Sequence, residues 1–429
     1  MNITARAILV PILVAASVSG ACGGGGDPAP VAVDQARSEK LRVNPTVPEA
    51  DRNALAAGNV GFALALHRQV SAGKYENLVF SPASISTALA MTFAGARGET
   101  ETQMATALKF TLPQAQLHPA MNELDQTLAA RGQGTSGADG KPFRLRMVNS
   151  AWADKQFTML PAYLDVLAES YGAGVNLLDF VGATESARQT INRWVEQQTE
   201  DRIKELLPMG ALDRATVLVL TNAVYFNAAW KVPFPERTAD GDFKRLDGSM
   251  VKVPMMRHEA SFKAAQRTGY AAVALPYQDE RLSMLIVVPD EGKLAEVEAG
   301  LTTAALTELA GSLTPQSVIL AMPRFRFETP IDLKQALSDL GMPVAFTGGA
   351  DFSGIDGSKS LFIQAVLHKA FIAVAEKGTE AAAATAVVVG RTSAPQGLNI
   401  TANRPFLFFL RDEPTGAILF MGRVADPSR

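Results

Sequence analysis

Four histidines, His67, His118, His258 and His368, and one cysteine, Cys22, are the entire supply of imidazole and thiol chemistry in 429 residues. The histidines are scattered and show no metal-ligand spacing, so neither a metal nor a cofactor is indicated. A lone cysteine excludes an intramolecular disulfide framework, a thiolate zinc site and a dithiol redox pair. His258-Glu259 begins like a His-Glu-x-x-His zinc helix and stops there, and neither a Gly-x-Ser-x-Gly elbow nor a complete Gly-Lys-Ser/Thr phosphate loop occurs. Ser81 and Ser84, in Phe80-Ser-Pro-Ala-Ser-Ile85, could be nucleophiles with His368 as their base, which keeps a hydrolase of unrecognised chemistry in view. Serines just before a helical apolar run are more commonly caps or satisfied core hydroxyls, so the expectation is that the chain is not an enzyme.

The more informative chemistry lies in the backbone potential of Ala375 to Pro395. Glu376-Lys-Gly-Thr-Glu-Ala-Ala-Ala-Ala-Thr385 has almost no side-chain bulk, and Val387 to Val389 favours extended structure. Read with a two-residue period, Thr379, Ala381, Ala383, Thr385, Val387 and Val389 share one face, which carries no charge, while Glu380, Ala382, Ala384, Ala386 and Val388 share the other. Such a segment can be an exposed loop and can also slide into a sheet, because no inward position would bury an unpaired charge. An alanine-rich helix is the competing reading, since alanine has the best helix propensity.

Composition is consistent with a globular domain: 47% of residues are hydrophobic and 19% charged, and the formal net charge is −3. With 40 basic against 43 acidic side chains there is no excess of positive charge to neutralise phosphates, so nucleic acid is not an expected partner. Arg6, the apolar run Ala7 to Val18 and the small residues Ser19, Gly20 and Ala21 read as a secretory signal over residues 1–21. Small residues directly before Cys22 resemble a bacterial lipoprotein box, although Ser19 stands where such boxes usually carry leucine. Cys22 is therefore either lipidated, as a membrane anchor at the periplasmic or cell-surface side, or a free thiol near the end of a secreted chain. Gly23 to Gly26 and the prolines at 28, 30, 45 and 48 oppose regular structure, which makes residues 22–50 a tether.

Residues 51–429 carry no Pro/Gly/Ser-rich linker and read as one domain, with Arg131 to Lys141 as a surface loop. Ile191, Trp194 and Val195, then Ile203, Leu206 and Leu207, recur at helical spacing before Pro208. Val217 to Phe226 and Leu282 to Val288 read as buried strands, and Phe406 to Leu410 with Ala417 to Met421 as a hairpin.

Several of these segments together resemble the serpin family. They are Asn77-Leu-Val-Phe-Ser-Pro-Ala-Ser-Ile85, Gly95-Ala-Arg-Gly-Glu-Thr100, Leu220-Thr-Asn-Ala-Val-Tyr-Phe226 with Trp230, and Met322-Pro-Arg-Phe-Arg-Phe327 with Asp332-Leu-Lys334. Glu376 to Thr385, His368-Lys-Ala370, Asn403-Arg-Pro-Phe406 and Phe420-Met-Gly-Arg423 extend the resemblance to the end of the chain. The resemblance implies an α+β serpin fold of three β-sheets with eight or nine helices and a reactive loop between roughly Gly378 and Asn399. It also implies a monomeric inhibitor of serine proteases that acts as a suicide substrate. The protease cleaves the loop, is held as a covalent acyl-enzyme, and is carried off as the loop inserts into the central sheet. A non-inhibitory binding or storage protein of the same fold is the alternative. Family spacing puts the reactive bond at Thr392–Ser393, suiting an elastase- or subtilisin-like enzyme; Arg391, one position earlier, makes Arg391–Thr392 the alternative, suiting a trypsin-like one. Glu376, Gly378, Thr379, Glu380, Ala381, Ala382, Ala383 and Ala384 match the hinge. Ser81, Ser84, Asn222 and His368 match the shutter beneath the opening sheet, and Trp230 matches the breach where insertion begins.

Overall fold

The computed structural model describes residues 33–74, 76–236, 238–380 and 397–429. The elements begin with β1 (Asp34–Ala36), α1 (Glu49–Ser71), β2 (Leu78–Phe80), α2 (Pro82–Phe93), α3 (Gly98–Leu108), α4 (Gln114–Ala129) and β3 (Arg144–Asp154). Next come α5 (Pro161–Tyr171), β4 (Val175–Leu178), α6 (Phe180–Gln198), β5 (Leu218–Ala229), β6 (Ala239–Lys244), β7 (Met250–Arg267), β8 (Tyr270–Pro276) and β9 (Leu282–Pro289). They are followed by α7 (Leu294–Gly300), α8 (Thr303–Ser312), β10 (Thr314–Pro323), β11 (Phe325–Asp332), α9 (Lys334–Asp339) and α10 (Ser353–Asp356). The last strands are β12 (Ala365–Ala375), β13 (Gly378–Thr379), β14 (Leu398–Thr401), β15 (Phe406–Asp412) and β16 (Ile418–Val424).

Local chemistry accounts for the best-defined boundaries. Ser81 accepts a hydrogen bond from the Ser84 amide and Pro82 occupies the first turn, so α2 starts where both signals fall. Gly172 closes α5 in the left-handed conformation. All twelve residues of β5 are buried, as expected of a central strand covered on both faces.

Seven strands form one sheet in the order β1-β4-β3-β5-β13-β12-β11. The other nine form a continuous ladder, because the long strand β7 pairs β6 and β10 along its first part and β8 along its last. Two of the three expected sheets are thus joined through one 18-residue strand. On one face of the seven-stranded sheet α6 packs Ile191 and Val195 against Trp152, Val219 and Leu367. The opposite face closes on α2 and the nine-stranded ladder. The segment Ile203 to Leu207, between α6 and β5, is not helical in the structure.

That segment corrects the helix expected up to Pro208. The helix ends at Gln198, and Glu200, Asp201 and Glu205 take positive φ, which a continuing helix forbids. Ile203, Leu206 and Leu207 are buried all the same, held by Asn192, which bonds the Leu207 amide at 2.8 Å and its carbonyl at 2.9 Å. Apolar spacing reported burial correctly and backbone conformation incorrectly. The hairpin of β15 and β16 and the strands β5 and β9 lie where the sequence places them.

A second difference concerns the segment 22–50. From Val33 onward it is bound to the domain: Asp34–Ala36 pairs antiparallel with β4, and the Val43 amide donates to the Glu169 carbonyl at 3.0 Å. Arg42 reaches Asn122 at 2.8 Å and Asp125 at 2.6 Å. An edge strand accepts any extended backbone, so a polar segment without apolar periodicity can join a sheet unannounced. The loop Arg131 to Lys141 is likewise partly buried, with Arg131 paired to Asp412 inside the fold.

Candidate functional site

The chain leaves the top of β12 at Ala375, turns through Glu376 and Lys377, and descends as β13 between β12 and β5. Gly378 faces Ala375 on one side and Ala229 on the other, and Thr379 faces Val374 and Ala228. Both pairings are antiparallel. Below this wedge β5 and β12 meet directly in parallel register, from Ala365 opposite Val219 to Ala370 opposite Val224. The sheet is therefore open at its upper end by two residues and closed beneath.

Side chains define the wedge. Thr379 is 2% exposed and its hydroxyl lies 2.6 Å from the Tyr277 hydroxyl. Tyr277 stacks on Trp230 with ring centroids 4.4 Å apart. The Trp230 indole N–H donates to the Ala375 carbonyl at 3.0 Å, and its backbone N–H to the Lys377 carbonyl at 2.9 Å. Glu376 is buried beneath Arg324, whose Nε donates to its carboxylate at 2.7 Å, and it also holds the Thr238 hydroxyl. Burial would raise the Glu376 carboxyl, but the guanidinium and hydroxyl outweigh that and hold it below the usual carboxylate range.

Glu380 ends the wedge. Its φ of 60° lies in the left-handed region, where a non-glycine residue is held only by its surroundings. Here the Glu380 amide donates to the Ala373 carbonyl, Asn227 Nδ2 donates to the Glu380 carbonyl at 3.1 Å, and the carboxylate pairs with Arg202. Thr379 thus points into the core and Glu380 toward the α6 face, in the phase expected from the alternation.

Lower in the sheet one polar cluster crosses the strands β3, β5 and β12. His368 and Asn222 are register partners, as are Asn222 and Asn149. His368 Nε2 accepts the Ser81 amide N–H at 3.1 Å, which leaves Nδ1 to carry the proton and donate to Asn222 Oδ1. Asn222 Nδ2 bonds Ser84 Oγ and Asn149 Oδ1, and Ser84 Oγ donates to Asn149 Oδ1 at 2.8 Å. Burial pushes the His368 imidazole down to about 3, so it is neutral at physiological pH. With no base free to accept a proton, and with both serines engaged as a helix cap and an amide partner, the cluster is a strand clamp.

The sequence model described as "Serpin (serine protease inhibitor)" matches residues 57–427. The chain is a serpin. Similar relatives include an uncharacterized serpin-like protein of Thermococcus kodakarensis, 39% identical, with 85% of this chain and 84% of the relative aligned. Leukocyte elastase inhibitor of Sus scrofa is 37% identical over 87% of this chain and 99% of its own length. Among solved structures, that of the thermophilic serpin tengpin in its native state superposes with a TM-score of 0.80 at 27% identity, covering 91% of this chain and 97% of that one. Uncleaved ovalbumin gives 0.77 at 26% identity, covering 87% and 100%.

The structure of this serpin brings Glu376, Gly378, Thr379, Glu380 and Trp230 together at the upper gap, and Ser81, Ser84, Asn222 and His368 at the lower clamp. Ala381 to Ala384, Arg391, Thr392, Ser393 and Cys22 lie outside the described residues. Sequence reasoning missed Tyr277, Arg324, Asn227 and Arg202 around the hinge and Asn149 in the clamp. Arg324 lies inside a recognised segment, but nothing in the sequence links it to Glu376. Asn149, a polar residue amid the strand-like Met147 to Ala153, was the one legible signal.

Two expectations follow for the serpin scaffold. At Gly378, with φ of +153°, a Cβ would stand 2.8 Å from Ala229 Cα and closer still to the Ala228 carbonyl oxygen. Gly378→Val should expel β13 from the gap, detected as increased protease susceptibility near Lys377; an unchanged cleavage pattern would contradict the close fit. His368 titrates at its ordinary value near 6.5 when unfolded and near 3 when folded. Its stabilising contribution is complete above pH 6.5 and is lost as pH falls toward 3, by roughly 2 kcal/mol between pH 7 and 5. The urea midpoint should fall over that interval, and the fall should be smaller in His368→Gln. Equal slopes in the two proteins would rule out a buried neutral His368.

Proposed function

We propose that this serpin inhibits serine proteases as a suicide substrate. The observation that carries the reading is the hinge already seated as Gly378–Thr379 between β5 and β12. Continuing its two registers would set Ala381 between Phe226 and Ile372, Thr385 between Asn222 and His368, and Val387 between Leu220 and Val366. Insertion of the cleaved loop would then replace a six-pair parallel ladder with two antiparallel ones and separate the His368–Asn222 pair. Every inward residue from Thr379 to Val389 is small or β-branched and uncharged, so no step requires burying a charge.

The chemistry begins with attack of the protease serine on the loop carbonyl, expelling the new amine and leaving an acyl-enzyme on the residue before the cut. Insertion must outrun hydrolysis of that ester. The reactive bond is Thr392–Ser393 or, one residue earlier, Arg391–Thr392, the latter serving a protease whose specificity pocket holds a carboxylate for guanidinium. Export by the signal over residues 1–21, with Cys22 either a lipid anchor or a free thiol on a secreted chain, completes the reading, the inhibitor acting as a monomer outside the cytoplasm.

Incubation with trypsin-like and elastase-like proteases tests it. The expected product is a complex that survives denaturing electrophoresis, together with a small C-terminal fragment. A fragment starting at Ser393 identifies Thr392 as the residue before the cut, and one starting at Thr392 identifies Arg391. Cleavage of the loop with no stable complex by any protease tried would leave the non-inhibitory reading.

A further inference from the structure

A cavity of about 560 Å³ opens beside the hinge on the α6 face of the seven-stranded sheet. Arg202, Arg324, Arg326, Arg429, Phe371 and Glu380 contribute to its wall. Three of the four guanidinium groups are held by carboxylates: Arg202 by Glu380, Arg324 by Glu376, and Arg429 by Asp426 at 3.3 Å. The other lining carboxylate, Asp139, is engaged by Arg144. Arg326 has no carboxylate partner among the described residues. Its guanidinium lies over the Phe371 ring, 5.3 Å from the centroid.

Stacking on an aromatic face restrains a guanidinium and leaves its edge donors unused. Such an edge binds phosphate or carboxylate oxygens through paired N–H···O bonds. Arg202 faces the same cavity, but its present partner is the Glu380 carboxylate that terminates the hinge wedge. The volume lies within the range of small-molecule sites, roughly 300–1,000 Å³.

We propose that this cavity is a binding site for a compact polyvalent oxyanion, a polyphosphate or a tricarboxylate, held by Arg326 and Arg202 in competition with Glu380. An anion that takes Arg202 away removes one of the groups holding Glu380 in its left-handed turn. By thermodynamic reciprocity, whatever frees Arg202 from Glu380 strengthens anion binding. The site rests on the cavity and its charges, and it does not require that the protein inhibit a protease.

Calorimetric titration of the full chain with tripolyphosphate and with citrate, at constant ionic strength, tests the site directly. One saturable site for either anion is expected, and which anion binds distinguishes the phosphate from the carboxylate source. Arg326→Gln should weaken binding about tenfold or more, the loss of a charge-assisted hydrogen bond. Glu380→Gln should tighten it by about the same factor, because a competing charge is removed. No saturable binding of either anion, or unchanged affinity in Arg326→Gln, overturns the site. Unchanged or weaker affinity in Glu380→Gln overturns the competition.

Discussion

Thr379→Arg is expected to abolish the covalent protease complex while leaving the loop cleavable. Thr379 is 2% exposed, between Ala228 and Val374, with its hydroxyl on Tyr277 and the stacked Trp230 ring beyond. Placing a guanidinium there without a carboxylate partner costs several kcal/mol. A penalty of about 4 kcal/mol on the first step of insertion slows it about a thousandfold. Hydrolysis of the acyl-enzyme is untouched, because the substitution lies outside the reactive bond. Partition should therefore move from mostly complex to almost entirely cleaved, released inhibitor, read by denaturing electrophoresis. Ala381→Arg, two residues further along the same face, should behave alike, whereas Thr379→Ser should keep forming complex. An arginine variant that trapped protease as efficiently as the parent protein would show that insertion does not run through this gap.

Cleavage of the reactive loop should raise resistance to heat and chaotrope steeply. Each inward valine, Val387 and Val389, gains roughly 1.5–3 kcal/mol on burial. Each new ladder hydrogen bond adds about 0.5–1.5 kcal/mol net, over about a dozen inserted residues. Against these stand the parallel pairing of β5 with β12, the bonds of the His368 cluster, and the entropy of ordering the loop. A surplus of about 10 kcal/mol corresponds to a rise in melting temperature on the order of 10 °C for a domain of this size. Scanning calorimetry of the intact and nicked protein measures this. Coincident transitions would remove the driving force from the proposed mechanism.

The segment expected to act as the hinge stood out in the sequence because its signal is compositional. A run of small residues with an uncharged face is visible without coordinates, and its phase held at Thr379 and Glu380, the two positions where the structure describes it. The strands β5 and β9 and the β15–β16 hairpin were legible for a similar reason, since buried runs of Val, Leu and Phe tolerate little else. Ile203 to Leu207 shows the limit. Burial places the same apolar residues whether the backbone coils or not, and here three positive-φ residues remove the helix. Residues 33–43 gave no signal, because their attachment uses backbone groups and isolated polar pairs.

Chain chemistry alone therefore marked the segment whose alternation would let it enter a sheet and favoured a buried, hydrogen-bonded role for Ser81, Ser84 and His368. Those are properties of side-chain size, charge and alternation, and they survive without knowledge of neighbours. Folding decided that Gly378 and Thr379 already lie inside the sheet, that Glu380 turns the chain out again, and that Arg202, Arg324, Tyr277 and Asn227 surround the gap. Those residues come from elements far apart in the chain, and an ion pair or a register exists only once packing has brought its two halves together.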